Sequence, residues 1–284
     1  MRVLGIDVDG ATAERWLRNL APDPQPFFVS SVSAWPGVAV GRDRLTPALR
    51  DTYQAWRIDR ALDVVWIDEA TFDALDRSRR KALVREQVQH RRGAVPTVRG
   101  WRDVVDPETI RAQADGHRFV WWPSLLSDPA AILRRIIEPG LRPSRHAEVD
   151  DETWATVRTL LPGVRGLAGT FLADGEESNC FGAVMAAAGA CRGADTWIGL
   201  DAFTDWLATA CTPIRGTHHD DRPGTVLVWH TPAQPFHAAV TIGAGYAFEK
   251  PSQEWWTPRT ILRAEEIKRA NRGLRLERHR LDST

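Results

Sequence analysis

The sequence predicts an α+β protein, in which a cysteine-bearing helix packs on an antiparallel sheet and a small α/β domain comes first. Three observations carry that reading. Polar residues Glu176 to Asn179 lead into Cys180 and an alanine-rich run that Gly189 stops, the pattern of a capped helix with a cysteine in its first turn. Residues 223–249 alternate β-branched and aromatic segments with tight turns, which reads as three sequential strands. Upstream, short apolar segments are interspersed with amphipathic ones, as in a strand–helix alternation. With 284 residues the chain is long enough for two modest domains.

Taken in order, Val3-Leu4-Gly5-Ile6 reads as a buried strand ending in Asp7-Val8-Asp9-Gly10. An apolar strand followed by Asp-x-Asp-Gly is similar to the nucleophile motif of haloacid-dehalogenase-type phosphatases. Ala11 stands where that motif wants Thr or Val, so a plain strand with an Asp-Gly turn is the preferred reading. Residues 23–45 are rich in Pro, Ser and Gly and read as loop with short extended pieces. Helices are expected over Leu45–Leu62, with Pro47 tolerated near the start, and from Thr71 to about Gln89. A strand is expected at Val64–Ile67. The Arg-rich outer face of the second helix carries interspersed Asp73, Asp76 and Glu86, which makes it a solvated surface and not a polyanion site. A short helix from Pro107 to Ala114, a strand or aromatic cluster at Phe119–Trp122, and a helix from Pro129 to Glu138 complete this half. Pro139 to Arg145 is the linker, giving domains 1–145 and 146–284.

In the second half, helices are expected over Asp150–Leu161 and Asp201–Ala210, with a flexible approach from Gly166 to Gly175 before the cysteine helix. Cys191 and Cys211 read as structural. His218-His219-Asp220-Asp221 reads as a polar loop, because adjacent residues rarely converge on one metal ion. A helix over Thr260–Ala270 and a basic tail from Arg272 close the chain.

The chemistry centres on Cys180. At a helix N-terminus the unpaired N–H groups and the positive end of the macrodipole favour a thiolate. His237 opens the second expected strand, and Glu249 lies twelve positions later (249 − 237), across a Gly243-Ala244-Gly245 turn. If a three-residue bulged turn sets the register, the two share a sheet face, completing a nucleophile, a base and an orienting group. His230 is the rival base; His237 is preferred because it precedes the hairpin that bears Glu249.

Residues 165–260 resemble the catalytic core of the NlpC-type cell-wall peptidases, a branch of the papain-like cysteine peptidases. The resemblance rests on Asn179-Cys180-Phe181-Gly182-Ala183-Val184, on Pro223-Gly224-Thr225-Val226, and on His237 and Glu249 in order and spacing. It does not reach the N-terminal half. Asn179 and Thr225 replace acidic residues, Phe181 replaces a small one, and Phe171 is the nearest counterpart of the family's tyrosine. Glu249 stands where His, Asn or Gln is usual, and a carboxylate accepts an imidazole N–H equally well. The resemblance implies a cysteine hydrolase cutting an amide or peptide bond through a Cys-His-Glu triad and a thioester, with a cell-wall-type peptide or a small amide as substrate. Cys180, His237 and Glu249 would be catalytic. The Cys180 backbone N–H, assisted by Asn179, would stabilise the oxyanion, and Phe181 and Trp255 would shape the substrate groove.

No cofactor and no metal is expected. Lys+Arg and Asp+Glu balance at 37 each, so bulk charge points to neither nucleic acid nor an anionic membrane. No stretch approaches a membrane span of about twenty apolar residues. An early acidic residue, Asp7, and an odd count of three cysteines argue for a cytoplasmic protein. Two other classes stay open: an inactive binding module of the same fold, and an N-terminal phosphatase acting through Asp7.

Overall fold

The computed structural model describes residues 1–113, 117–190 and 194–282. It is a mixed helix-and-sheet structure that divides into two compact units: Met1 with Val8–Ile136, and Arg2–Asp7 with the chain from Ile137 onward. The expected linker residues 139–145 and the opening strand segment both belong to the second unit.

That opening segment is not one strand. β1 (Arg2–Val3) and β2 (Ile6–Asp7) form a minimal antiparallel hairpin around Leu4 and Gly5, both at positive φ (51° and 78°). The Asp7–Gly10 stretch then starts a helix (Gly10–Leu20), with Asp9 as its cap, accepting the Thr12 N–H at 2.7 Å. Asp9 is therefore occupied in a structural role.

The first unit is built on a three-stranded sheet of β3 (Gln25–Val29), β4 (Ala39–Val40) and β5 (Asp63–Ile67), in the order β3-β5-β4 and antiparallel throughout. The strand–helix alternation led to an α/β expectation; here β3 and β4 both run antiparallel to the central β5. β3 is a longer strand than the short extended pieces expected within that loop, because Pro24 and Pro26 mask a run whose five residues are all buried. The expected helix over 45–62 is only Pro47–Tyr53, ended by Gln54 in the left-handed conformation at φ 52°. The helix from Thr71 is split into Glu69–Ala74 and Arg77–Gln89, because Asp76 caps the second by accepting the Ser78 and Arg79 N–H groups. Phe119 to Trp122 form no strand and instead fill a core with Phe27 and Phe72.

The second unit carries a six-stranded antiparallel sheet. Its strands are β6 (Cys211–Ile214), β7 (Thr225–His230), β8 (Pro235–Gly243), β9 (Tyr246–Glu249), β10 (Thr260–Arg263) and β11 (Arg275–Leu281), ordered β10-β9-β8-β7-β11-β6. The four strands from β7 to β10 run as a meander. The alternate residues Ala238, Val240 and Ile242 of β8 join Val226, Val228 and Phe248 in one core cluster with the cysteine helix (Cys180–Ala187). Leu227, Trp229, Ala239, Ala247 and Leu262 form a second cluster with the helix Ala264–Ala270.

Two segments differ from expectation. The first four residues of the helix expected at Thr260 are strand β10, and the helix begins at Ala264. The basic tail is strand β11, placed between β7 and β6. Its charges are matched by distant partners. Arg278 donates to both oxygens of buried Asp220 (2.7 and 3.0 Å), which also accepts from Lys268 Nζ at 2.8 Å. Asp220 thus serves as a buried counter-ion for two cations.

Candidate functional site

The cysteine helix starts as its sequence suggests. Asn179 is extended (φ −122°, ψ −175°), and its Oδ1 accepts the Gly182 N–H at 2.9 Å. Its Nδ2 donates to the Ile198 carbonyl at 2.7 Å, so the cap also fixes the neighbouring 194–198 segment. Cys180 follows as the first helical residue and is 9% exposed, while Ala183, Val184 and Ala187 are fully buried.

His237 and Glu249 come together through the hairpin of β8 and β9. The turn is two residues, Ala244 and Gly245, both at positive φ (51° and 75°), the sign that suits the twist of paired strands. Gly243 pairs with Tyr246, and the register then shifts by one at Ile242, so that Thr241 pairs with Ala247 and Ala239 with Glu249. The bulge decides the chemistry. Continued without it from Gly243–Tyr246, Glu249 would oppose Val240 and face away from His237. With it, Glu249 sits opposite Ala239, on the face that also carries His237. The expected bulged three-residue turn is thus a two-residue turn with its bulge on β8.

His237 is 5% exposed and so is Glu249. The imidazole Nε2 and Glu249 Oε2 are 2.7 Å apart. Nε2 being taken, Nδ1 is the nitrogen available to sulfur, and the Cys180 side chain hydrogen-bonds the imidazole. They meet at the end of the sheet where β8 begins and β9 ends. Burial opposes charge on the ring. The hydrogen bonds and negative charge of Cys180 and Glu249 outweigh it and raise the His237 pKa to about 10. Cys211 is the contrast: burial, with the Asp282 carboxylate nearby, pushes its thiol up to about 12, the inert state of a core cysteine.

Two buried cations brace the surroundings. Lys250, fully buried next to Glu249, donates from Nζ to the carbonyls of Ser252 (2.6 Å), Glu254 (2.9 Å) and Thr257 (3.0 Å). It clamps the loop that follows the hairpin. Arg259 ties down the approach to the cysteine: its backbone exchanges hydrogen bonds with Gly169 and Thr170 (2.9 and 2.8 Å), and its guanidinium reaches Thr170 Oγ1, Glu176 and the Ala194 carbonyl. Burial lowers its pKa, with Glu176 opposing the shift.

Of the residues singled out from sequence, Cys180, His237 and Glu249 converge. Asn179 adjoins Cys180, but its amide is committed at both ends to holding the chain. The Phe181 ring stacks on Phe203 (centroids 4.2 Å apart) within the core cluster. Trp255 is buried with its ring edge-on to Trp256 at 5.1 Å, in the loop that Lys250 clamps. His230, the rival base, belongs to another group: its Nε2 lies 2.9 Å from Glu277 Oε2 on β11. Cys191 lies outside the described residues. Lys250 and Arg259 escaped the sequence reading; a lysine directly after Glu249 at a strand end and a lone arginine between Pro258 and Thr260 carry no pattern, and only the carbonyls around them reveal their work.

Comparison with models of protein families, with curated proteins and with solved structures finds no match for this chain.

Proposed function

We propose that the second unit is a cysteine hydrolase of amide or peptide bonds, acting through Cys180, His237 and Glu249. One observation carries the reading: a buried imidazole held between a helix-terminal sulfur and a carboxylate, with its pKa raised to about 10. At neutral pH that histidine is an imidazolium, the partner a thiolate requires. A nucleophile at a helix start, with its base and orienter on adjoining antiparallel strands, also supports the NlpC-type, papain-like reading of the fold.

The Cys180 thiolate attacks the carbonyl carbon and makes a C–S bond. The developing oxyanion is met by the N–H groups of Cys180 and Phe181, which have no carbonyl one turn back to bond. Gly182 and Ala183 have already given theirs to Asn179. The help expected from Asn179 falls away, because its amide is engaged at both ends, and the oxyanion role rests on the backbone. As the tetrahedral intermediate collapses, the C–N bond breaks and His237 hands its proton to the leaving amine, giving the thioester. His237 then takes a proton from water, the resulting hydroxide adds to the thioester, and the C–S bond breaks to release the acid. Glu249 keeps the ring oriented and stabilises its charge throughout.

The test is alkylation by iodoacetamide from pH 5 to 9, with each cysteine followed by mass spectrometry. Cys180 is expected to react at pH 6 at least about a hundredfold faster than Cys211, and to lose that advantage in His237→Ala. Equal reactivity of the two cysteines, or an inert Cys180, overturns the hydrolase reading in favour of a binding module.

A further inference from the structure

We infer that Trp197 and Phe236 form an aromatic clamp beside the reacting sulfur, selecting amides that carry an aromatic or branched aliphatic group next to the scissile bond. The inference rests on the hydrolase reading above and names the substrate class for it.

Large apolar side chains left in water mark contact sites when they gather at one place. Among the described residues of the second unit, two large hydrophobic side chains are exposed, Trp197 at 49% and Phe236 at 61%. Both adjoin the site. Phe236 immediately precedes His237 and is the extra residue of β8 where its register with β7 shifts, between the pairs Trp229–His237 and His230–Pro235. The imidazole of His237 is the group that holds the Cys180 sulfur, so Phe236 is one residue from the reacting pair. Trp197 is one residue from Ile198, whose carbonyl holds the Asn179 cap at 2.7 Å.

Exposure here does not mean freedom. The Trp197 indole N–H donates to Gln253 Oε1 at 3.3 Å. Gln253 lies between Ser252 and Glu254, whose carbonyls Lys250 Nζ grips, and Lys250 follows Glu249. A chain of contacts therefore runs from the triad carboxylate to an indole presented to solvent. A ring held in place loses little further entropy when a ligand covers it, which is what a recognition surface needs. The occupant is apolar because both walls are rings.

The experiment uses the full chain and two chloroacetamides, N-methyl and N-benzyl, with the labelling rate of Cys180 read by mass spectrometry. The wild type is expected to label at least about tenfold faster with the benzyl probe. Trp197→Ala and Phe236→Ala should each remove most of that preference while leaving the methyl rate within about twofold, and Trp197→Phe should restore it. Equal rates with both probes in the wild type, or a preference that survives both alanine variants, overturns the clamp while the hydrolase reading stands. Failure of the methyl probe to label Cys180 faster than Cys211 overturns both.

Discussion

The sheet of the second unit contains two histidine–glutamate pairs of nearly equal length, and only one is a candidate for chemistry. His237 and Glu249 are 2.7 Å apart, with each side chain 7% exposed. His230 and Glu277 are 2.9 Å apart, with side chains 12% and 38% exposed. The first pair has a sulfur on the other side of the ring. The second has Arg275 and His279 around its carboxylate instead; burial pushes the Glu277 pKa up, but Arg275, His230 and His279 outweigh it and hold it low. A histidine–carboxylate contact is thus an ordinary device for satisfying half-buried charge. What makes a catalytic pair is exclusion of water together with a nucleophile at the free nitrogen.

The largest effect should come from exchanging the two histidines for alanine in separate variants. His237→Ala is expected to lower turnover of a peptide amide by roughly 10⁴-fold or more, whereas His230→Ala should leave it within about twofold. Comparable losses in both, measured as kcat/KM, would erase the distinction.

The carboxylates sharpen it next. Glu249→Gln keeps an acceptor but loses the charge, and should cost roughly 10³-fold in kcat. Glu277→Gln should cost less than about 1 kcal/mol of stability, as a half-exposed ion pair does, with no change in turnover.

The pH profile follows from the sign of the shift. Because the His237 pKa is raised to about 10, the ring stays charged at pH 8, where a free imidazole is neutral. Turnover should therefore fall only above about pH 10, as the proton for the leaving amine is lost, while alkylation of Cys180, which needs only the thiolate, should continue. Nitrogen chemical shifts of His237 that titrate near 6.5 would remove the basis for this pair.

The smallest effect on rate concerns rigidity. Lys250→Met leaves the carbonyls of Ser252, Glu254 and buried Thr257 without their donor and is expected to cost about 2–3 kcal/mol in urea unfolding, with a rise in KM as the loop that holds Gln253 and Trp197 loosens. Unchanged stability would mean that the ammonium is not the clamp its contacts indicate.

Much of the site was legible because its pieces are local. A polar cap, a small-residue helix and a glycine stop lie within a dozen positions of Cys180, and the hairpin declares itself through its turn. The parts that escaped are those whose polar or proline-bearing residues hide a buried strand. β3 contains a proline and follows another yet lies wholly buried. β11 reads as a basic tail because its partners, Asp220 for Arg278 and His230 for Glu277, are too far away in the chain to suggest pairing.

The sequence by itself determined the start of the cysteine helix, the first three strands of the meander and the identity of three residues able to act together, since each depends on neighbours within a few positions. Tertiary structure alone decided that Glu249 opposes Ala239 and not Val240, that His230 turns to Glu277, and that Asn179 is a tether. Those outcomes depend on one extra residue in a ladder and on hydrogen bonds to strands and loops far along the chain, where local propensity has no influence.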